Sequence, residues 1–107
     1  MVTVIKSSID TSGKGWFLGP WNSELSIAVG FSDRGFDDPH CHDAMCELYL
    51  VARGTSTALV DEQVVVLGVG DLLVVEPGEA HTFTSSSDDY LHFVVQAPFV
   101  PGDKRST

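Results

Sequence analysis

Apolar residues fall in short runs along this chain, divided by gaps rich in Gly, Pro, Asp and Ser. Several runs alternate between apolar and polar positions with period two, the pattern of a strand with one buried face. Apolar spacing of three to four residues, which would indicate helix, is hard to find. Val2–Ile5 is a candidate edge strand, and the polar Ser7–Gly15 a loop. Trp16-Phe17-Leu18 precedes a turn at Gly19-Pro20, and Leu25–Phe31 alternates as a strand. Ser32–Pro39, with Gly35 and three aspartates, is a loop. His40–Val51 is expected to form a hairpin ending at an Arg53-Gly54 turn. Thr55–Val60 and Val64–Leu67 flank a turn at Asp61-Glu62-Gln63, and Leu72–Val75 runs from Gly70-Asp71 to Pro77-Gly78. Ala80–Thr84 and Tyr90–Gln96 flank the polar Ser85–Asp89, after which Pro98 and Pro101 end regular pairing and leave a charged tail. Roughly eight to ten strands without a helix predict an all-β fold, an antiparallel double-sheet jelly roll whose closure protects most strand edges.

The same alternation gives Pro39–Glu47 a definite geometry. His40 and His42 share one face of the first strand of the expected hairpin, and Cys41 takes the other. After the turn Glu47 returns to the histidine face, with Cys46 opposite. Two imidazoles and one carboxylate thus meet across the hairpin, and His81 on another predicted strand offers a fourth ligand. Neutral imidazoles with a carboxylate suit one divalent transition metal, Fe, Mn, Ni, Cu or Zn. A zinc site using sulfur conflicts with the alternation, because Cys41 and Cys46 point away from the histidines. They are expected as small buried hydrophobes, or as a redox-sensitive pair facing one another across the hairpin.

Tyr49, Val51 and Arg53 follow Glu47 on its face, as Phe83 follows His81. Tyr49 is a candidate hydrogen-bond donor or proton carrier, Arg53 a substrate contact and Phe83 a pocket wall. On the last strand, parity groups His92 with Val94 and Gln96 against Phe93 and Val95. With the first set inward, His92 is a second candidate proton carrier and Gln96 a substrate contact. Trp16, Phe17 and Trp21 are expected at a barrel mouth or a subunit seam. Leu48, Leu50 and Ala52 face away from the ligands and need cover from the second sheet or a partner subunit.

Composition narrows the class. At 107 residues and 43% hydrophobic, the chain suits one domain with one core. Fifteen acidic against six basic residues give a net charge of −9, a field that repels a phosphate backbone, so nucleic acid is not an expected partner. The acidic pairs Asp37-Asp38, Asp61-Glu62 and Asp88-Asp89 read as solvated turns. Val64–Val75, the longest apolar run, is interrupted by Gly68, Gly70 and Asp71 and is too short to span a bilayer. With no secretory signal visible and only two cysteines, a cytoplasmic address is expected, with neither a membrane partner nor a disulfide scaffold.

With these residues located, the chain resembles the small single-domain cupins. Their first motif runs roughly G-x5-H-x-H-x(3,4)-E-x6-G, and His40, His42, Glu47 and Gly54 match it, Gly35 lying one residue closer to His40 than the pattern asks. Their second runs roughly G-x5-P-x-G-x2-H-x3-N, and Gly70, Gly78 and His81 fall in place. Glu76 stands at the usual proline, with Pro77 one place later, and Ser85 stands at the usual asparagine. The match spans about residues 30–96 of a single domain over 1–107, leaving 97–107 as a tail. The resemblance implies a jelly-roll barrel, a metal held by His40, His42, Glu47 and His81, and a homodimer formed through an apolar outer face.

The first functional expectation is an Fe(II)-dependent oxygenase of the dioxygenase type, acting on a small organic molecule held beside O2 in a dry barrel. The alternative is a non-redox isomerase, lyase or cyclase in which the metal is a Lewis acid and Tyr49 or His92 moves a proton. A third reading is a module that binds a small ligand without turnover.

Overall fold

The computed structural model describes residues 2–6, 13–34 and 38–107. Among the described residues ten strands make two five-stranded sheets. They are β1 (Lys14–Leu18), β2 (Ala28–Ser32), β3 (His40–Cys41), β4 (Cys46–Arg53), β5 (Ser56–Val60), β6 (Gln63–Leu67), β7 (Leu72–Val75), β8 (His81–Ser86), β9 (Leu91–Ala97) and β10 (Arg105–Ser106). One sheet has the order β1-β2-β9-β4-β7, the other β10-β3-β8-β5-β6, and every paired neighbour is antiparallel. This is the all-β jelly-roll architecture expected from the alternation. Among the described residues no helix is long and apolar enough to cross a membrane.

The barrel interior follows from parity. Along β4, Glu47, Tyr49 and Val51 are buried while Leu50 is exposed. On β9 the inward set is His92, Val94 and Gln96. The register sets Glu47 opposite Gln96, Tyr49 opposite Val94 and Val51 opposite His92, so the inward face carries a polar pair at one end and brings His92 in among the core residues at the other. Tyr49, Val51, Ala58, Val75, Phe83 and Tyr90 form the buried apolar cluster. On the outer face Leu50, Leu72 and Val74 are exposed.

Two motif glycines have a steric reason. Gly54 has φ 71°, and a Cβ there would meet Ser87 Oγ at 2.3 Å and Asp89 Oδ1 at 2.7 Å. Gly78 has φ 86°, and its N–H donates to the His42 carbonyl at 2.6 Å, tying the turn before β8 to a histidine loop. Gly35 lies outside the described residues.

Three expectations need correction. His40–Val51 is not a hairpin, because β3 pairs with β8 and β10 whereas β4 pairs with β7 and β9 in the other sheet. The segment turns a corner between the sheets, and Cys41 and Cys46 are free thiols on strands of different sheets. Val2–Ile5 is irregular and forms no ladder; Ile5, itself exposed, borders a shallow hollow with Phe17, Leu18, Val29 and Phe93. Pro98 and Pro101 do not end regular pairing. Phe99 N–H donates to Ser26, and Arg105 and Ser106 pair with Cys41 and His40 as β10.

Candidate metal centre

Four side chains from separate parts of the fold converge. His40 on β3 and His81 on β8 are register partners in one sheet. Glu47 comes from β4 in the other, and His42 from the corner between β3 and β4. One potential ligand atom from each lies within 4.8 Å of the rest, and all four residues are buried.

Each imidazole is oriented from behind. His40 Nδ1 lies 3.1 Å from the Asp38 carbonyl and His81 Nδ1 3.0 Å from the Glu79 carbonyl, while His42 Nδ1 donates to the Asp103 carbonyl. A carbonyl oxygen only accepts, so each ring carries a proton on Nδ1. If neutral, it then directs the Nε2 lone pair into the site. His42 Nε2 and His81 Nε2 approach Glu47 Oε1 to 2.9 and 2.8 Å. Buried acceptors so close together need a positive charge among them, from an added proton or a metal ion. Three imidazoles with fixed tautomers and one carboxylate fit a divalent transition metal.

Glu47 is the hub of this cluster. Tyr49 Oη donates to Oε1 at 2.7 Å and Gln96 Nε2 donates to Oε2 at 2.9 Å. Burial pushes the Glu47 carboxyl up, but the contacts to His42, His81, Gln96 and Tyr49 outweigh it and hold the group well below the usual carboxylate range. For His42, burial pulls down while Glu47 and the Asp103 carbonyl pull harder upward, so its pKa is raised. His40 is lowered, chiefly by burial.

The C-terminal segment fastens the ligand loop. The Asp103 carboxylate accepts the backbone N–H groups of Asp43, Ala44 and Met45 at 2.8, 2.9 and 2.9 Å, and its carbonyl receives His42. Those N–H groups, Ala44 first, hold the Asp103 carboxyl below its ordinary value. Arg105 adds an exposed pair with Asp43 at 2.9 Å.

The cluster borders a cavity of about 330 Å³. Tyr49, Phe83, His92 and Gln96 line it, together with Trp16 and Phe31 nearer the surface. Tyr49 commits its proton to Glu47, and burial, with the charge of Glu47, keeps that phenol far above its usual pKa. Its hydroxyl is placed as a hydrogen-bond donor to the carboxylate. His92 Nδ1 lies 2.6 Å from Tyr90 Oη, its ring packs edge-on to Tyr49 with centroids 5.0 Å apart, and burial depresses its pKa to about 4. Arg53 is corrected: a register shift between Val51 and Arg53 turns its side chain outward, where it is exposed and does not line the cavity. Phe17 stacks on Phe31 at 5.1 Å and Trp21 meets Phe99 edge-on at 5.7 Å, leaving Trp16 as the aromatic of that trio at the mouth. Parity with His92 could have pointed to Tyr90, two residues earlier; nothing in the spacing pointed to Asp103.

A family model described as Cupin domain matches residues 27–96. The chain belongs to the cupin family. No curated protein matches it. Among solved structures, this cupin is similar to Streptomyces PAC13 bound to uridine, at 20% identity over 98% of this chain and 92% of that one, TM-score 0.73. PAC13 is described as a unique nucleoside dehydratase. The present chain is also similar to KdgF from a Halomonas species (18% identity, 82% and 79% coverage, TM-score 0.68) and to a cupin protein from Bacteroides fragilis (21%, 95% and 92%, 0.68). At these identities the likeness speaks for the fold.

Proposed function

We propose that this cupin is a divalent-metal-dependent enzyme that moves a proton on a small, oxygen-bearing organic molecule, in the manner of a lyase or isomerase. The observation that carries the reading is His92, an uncharged imidazole backed by Tyr90 that lines the same cavity as the His40–His42–Glu47–His81 cluster. A proton-transfer enzyme needs such a carrier beside its electrophile. An ion held by the four ligands would supply Lewis-acid polarisation of a substrate oxygen. His92 accepts the proton from the carbon next to that oxygen. It returns the proton to a neighbouring carbon, giving an isomer, or to a departing hydroxyl, giving water and an alkene. Tyr49 and Gln96 keep Glu47 aligned while the apolar walls limit water. The nucleoside dehydratase among the structural relatives supports dehydration on this scaffold.

The test is anaerobic turnover of hydroxy and keto compounds by zinc- or manganese-loaded protein in D2O. The expected outcome is deuterium in substrate or product, lost in His92→Gln. Full activity in that variant, or strict dependence on O2, would overturn the reading. The iron-dependent oxygenase remains the second reading, favoured by a donor set that suits Fe(II) beside apolar walls. Oxygen uptake by iron-loaded protein selects it. A homodimer covering the exposed Leu50, Leu72 and Val74, and a cytoplasmic address for this disulfide-poor acidic chain, complete the proposal.

A further inference from the structure

The cavity carries charge opposite to that of the molecule. The chain holds fifteen acidic and six basic residues, yet three of the six basic ones, Lys14, Arg34 and Lys104, line this one cavity. Among the described residues Glu47 is the single carboxylate lining it, and Glu47 faces the three histidines. The three cations come from unconnected parts of the chain: the start of β1, the loop after β2, and the segment before β10. Arg34 has a loose surface pair with Asp33 at 3.6 Å, its own side chain 78% exposed. Lys104 follows Asp103, whose carbonyl receives His42 Nδ1, so it stands next to the histidine cluster. Ser32 and Thr82 add hydroxyls to the lining.

An acidic surface repels anions at a distance, so a basic rim on the cavity is a local device that selects among molecules already at the mouth. From this juxtaposition we infer an anion subsite at Lys14, Arg34 and Lys104 that takes the carboxylate or phosphate of a small organic acid whose hydroxyl or carbonyl oxygen reaches the histidine cluster. The inference rests on the proposed metal enzyme for the second contact and goes beyond it by naming the substrate class. Lysine and arginine serve both head groups, as point charge and as fork respectively. The shared requirement is an anionic oxygen group at one end and a neutral oxygen donor at the other.

Binding tests this without turnover. Zinc-loaded protein is titrated calorimetrically with glycerol, glycerate and glycerol 3-phosphate, one three-carbon skeleton with no charge, a carboxylate or a phosphate. Exposed cations contribute roughly a factor of two to five each, so the better anion should bind about tenfold or more tighter than glycerol. Which anion wins identifies the head group. The preference should shrink as salt rises from about 0.01 to about 0.5 M. In the triple variant Lys14→Gln, Arg34→Gln, Lys104→Gln, with zinc content and thermal unfolding checked, it should fall to near that of the bare metal site; each single variant should show part of the loss. Equal binding of charged and neutral probes, or a triple variant that keeps the full preference, would overturn the subsite. Anion preference without turnover would leave the subsite standing and count against the enzyme; turnover without preference would do the reverse.

Discussion

Replacing Asp103 with alanine should weaken metal binding although Asp103 contributes no ligand. Its carboxylate joins three consecutive backbone N–H groups, those of Asp43, Ala44 and Met45, immediately after His42. Alanine removes all three charge-assisted bonds but keeps the main-chain carbonyl that orients His42 Nδ1. One ligand of four is thereby loosened and not lost. Changes to groups that orient ligands cost about 10–100-fold in metal affinity, and the exposed position and surviving carbonyl put this case near tenfold. Asp103→Asn keeps one oxygen: it can hold the Ala44 and Met45 N–H groups that share Oδ2 but must release Asp43, so its loss should be smaller. Arg105→Ala breaks an exposed pair on the same loop, the side chains 61% and 64% accessible, and should change affinity little. Competition with a calibrated zinc chelator reads the affinities, and thermal unfolding of the metal-free variants checks the fold. Undiminished zinc affinity in a folded Asp103→Ala protein would refute the claim that the C-terminal segment positions the centre.

His92 should make stability depend on pH. Its folded pKa of about 4 lies below the ordinary histidine value of 6.5, so the unfolded chain binds its proton first. The stabilising contribution is complete above about 6.5 and is lost as pH falls towards 4, at most roughly 3 kcal/mol. Urea unfolding of the wild type and His92→Phe across that window should show a shallower slope in the variant; parallel curves would contradict the assignment. Tyr49→Phe takes one donor from a buried carboxylate and should destabilise the metal-free protein by about 1–3 kcal/mol in urea titrations, with no change meaning that the hydrogen bond is not formed. Gly54→Ala places a methyl group on Ser87 and Asp89 at positive φ and should cost about 1–3 kcal/mol by thermal unfolding. Leu72→Glu on the exposed outer face should shift sedimentation from dimer to monomer, and a wild type that sediments as a monomer at all concentrations removes the dimer proposal.

Period-two alternation carried most of the fold, because a strand with one wet and one buried face writes its orientation into the residue order. It identified the inward side of β4 and left two choices on β9, which burial resolves in favour of His92, Val94 and Gln96. Alternation says nothing about which strand pairs with which. A two-residue β3 followed by a corner therefore reads like half a hairpin, and Cys41 and Cys46 were set across a ladder that does not exist. Arg53 failed for a related reason: one extra residue in a strand flips every position after it, and the bulge leaves no mark in composition. Asp103 and β10 stayed hidden because their partners lie about sixty residues away, |i−j| being 58 to 61 for the Asp103 bonds. Prolines that end one ladder do not prevent a later return to another.

The four-residue cluster draws His40 and His81 from one sheet and Glu47 from the other, so an ion seated there rivets the two layers of the sandwich together. Separating the layers and surrendering the cation then become a single event. Thermal resistance would track the free-ion concentration by mass action, about 2.7 kcal/mol at a hundred times the dissociation constant, and a chelator would act on this protein much as a denaturant does.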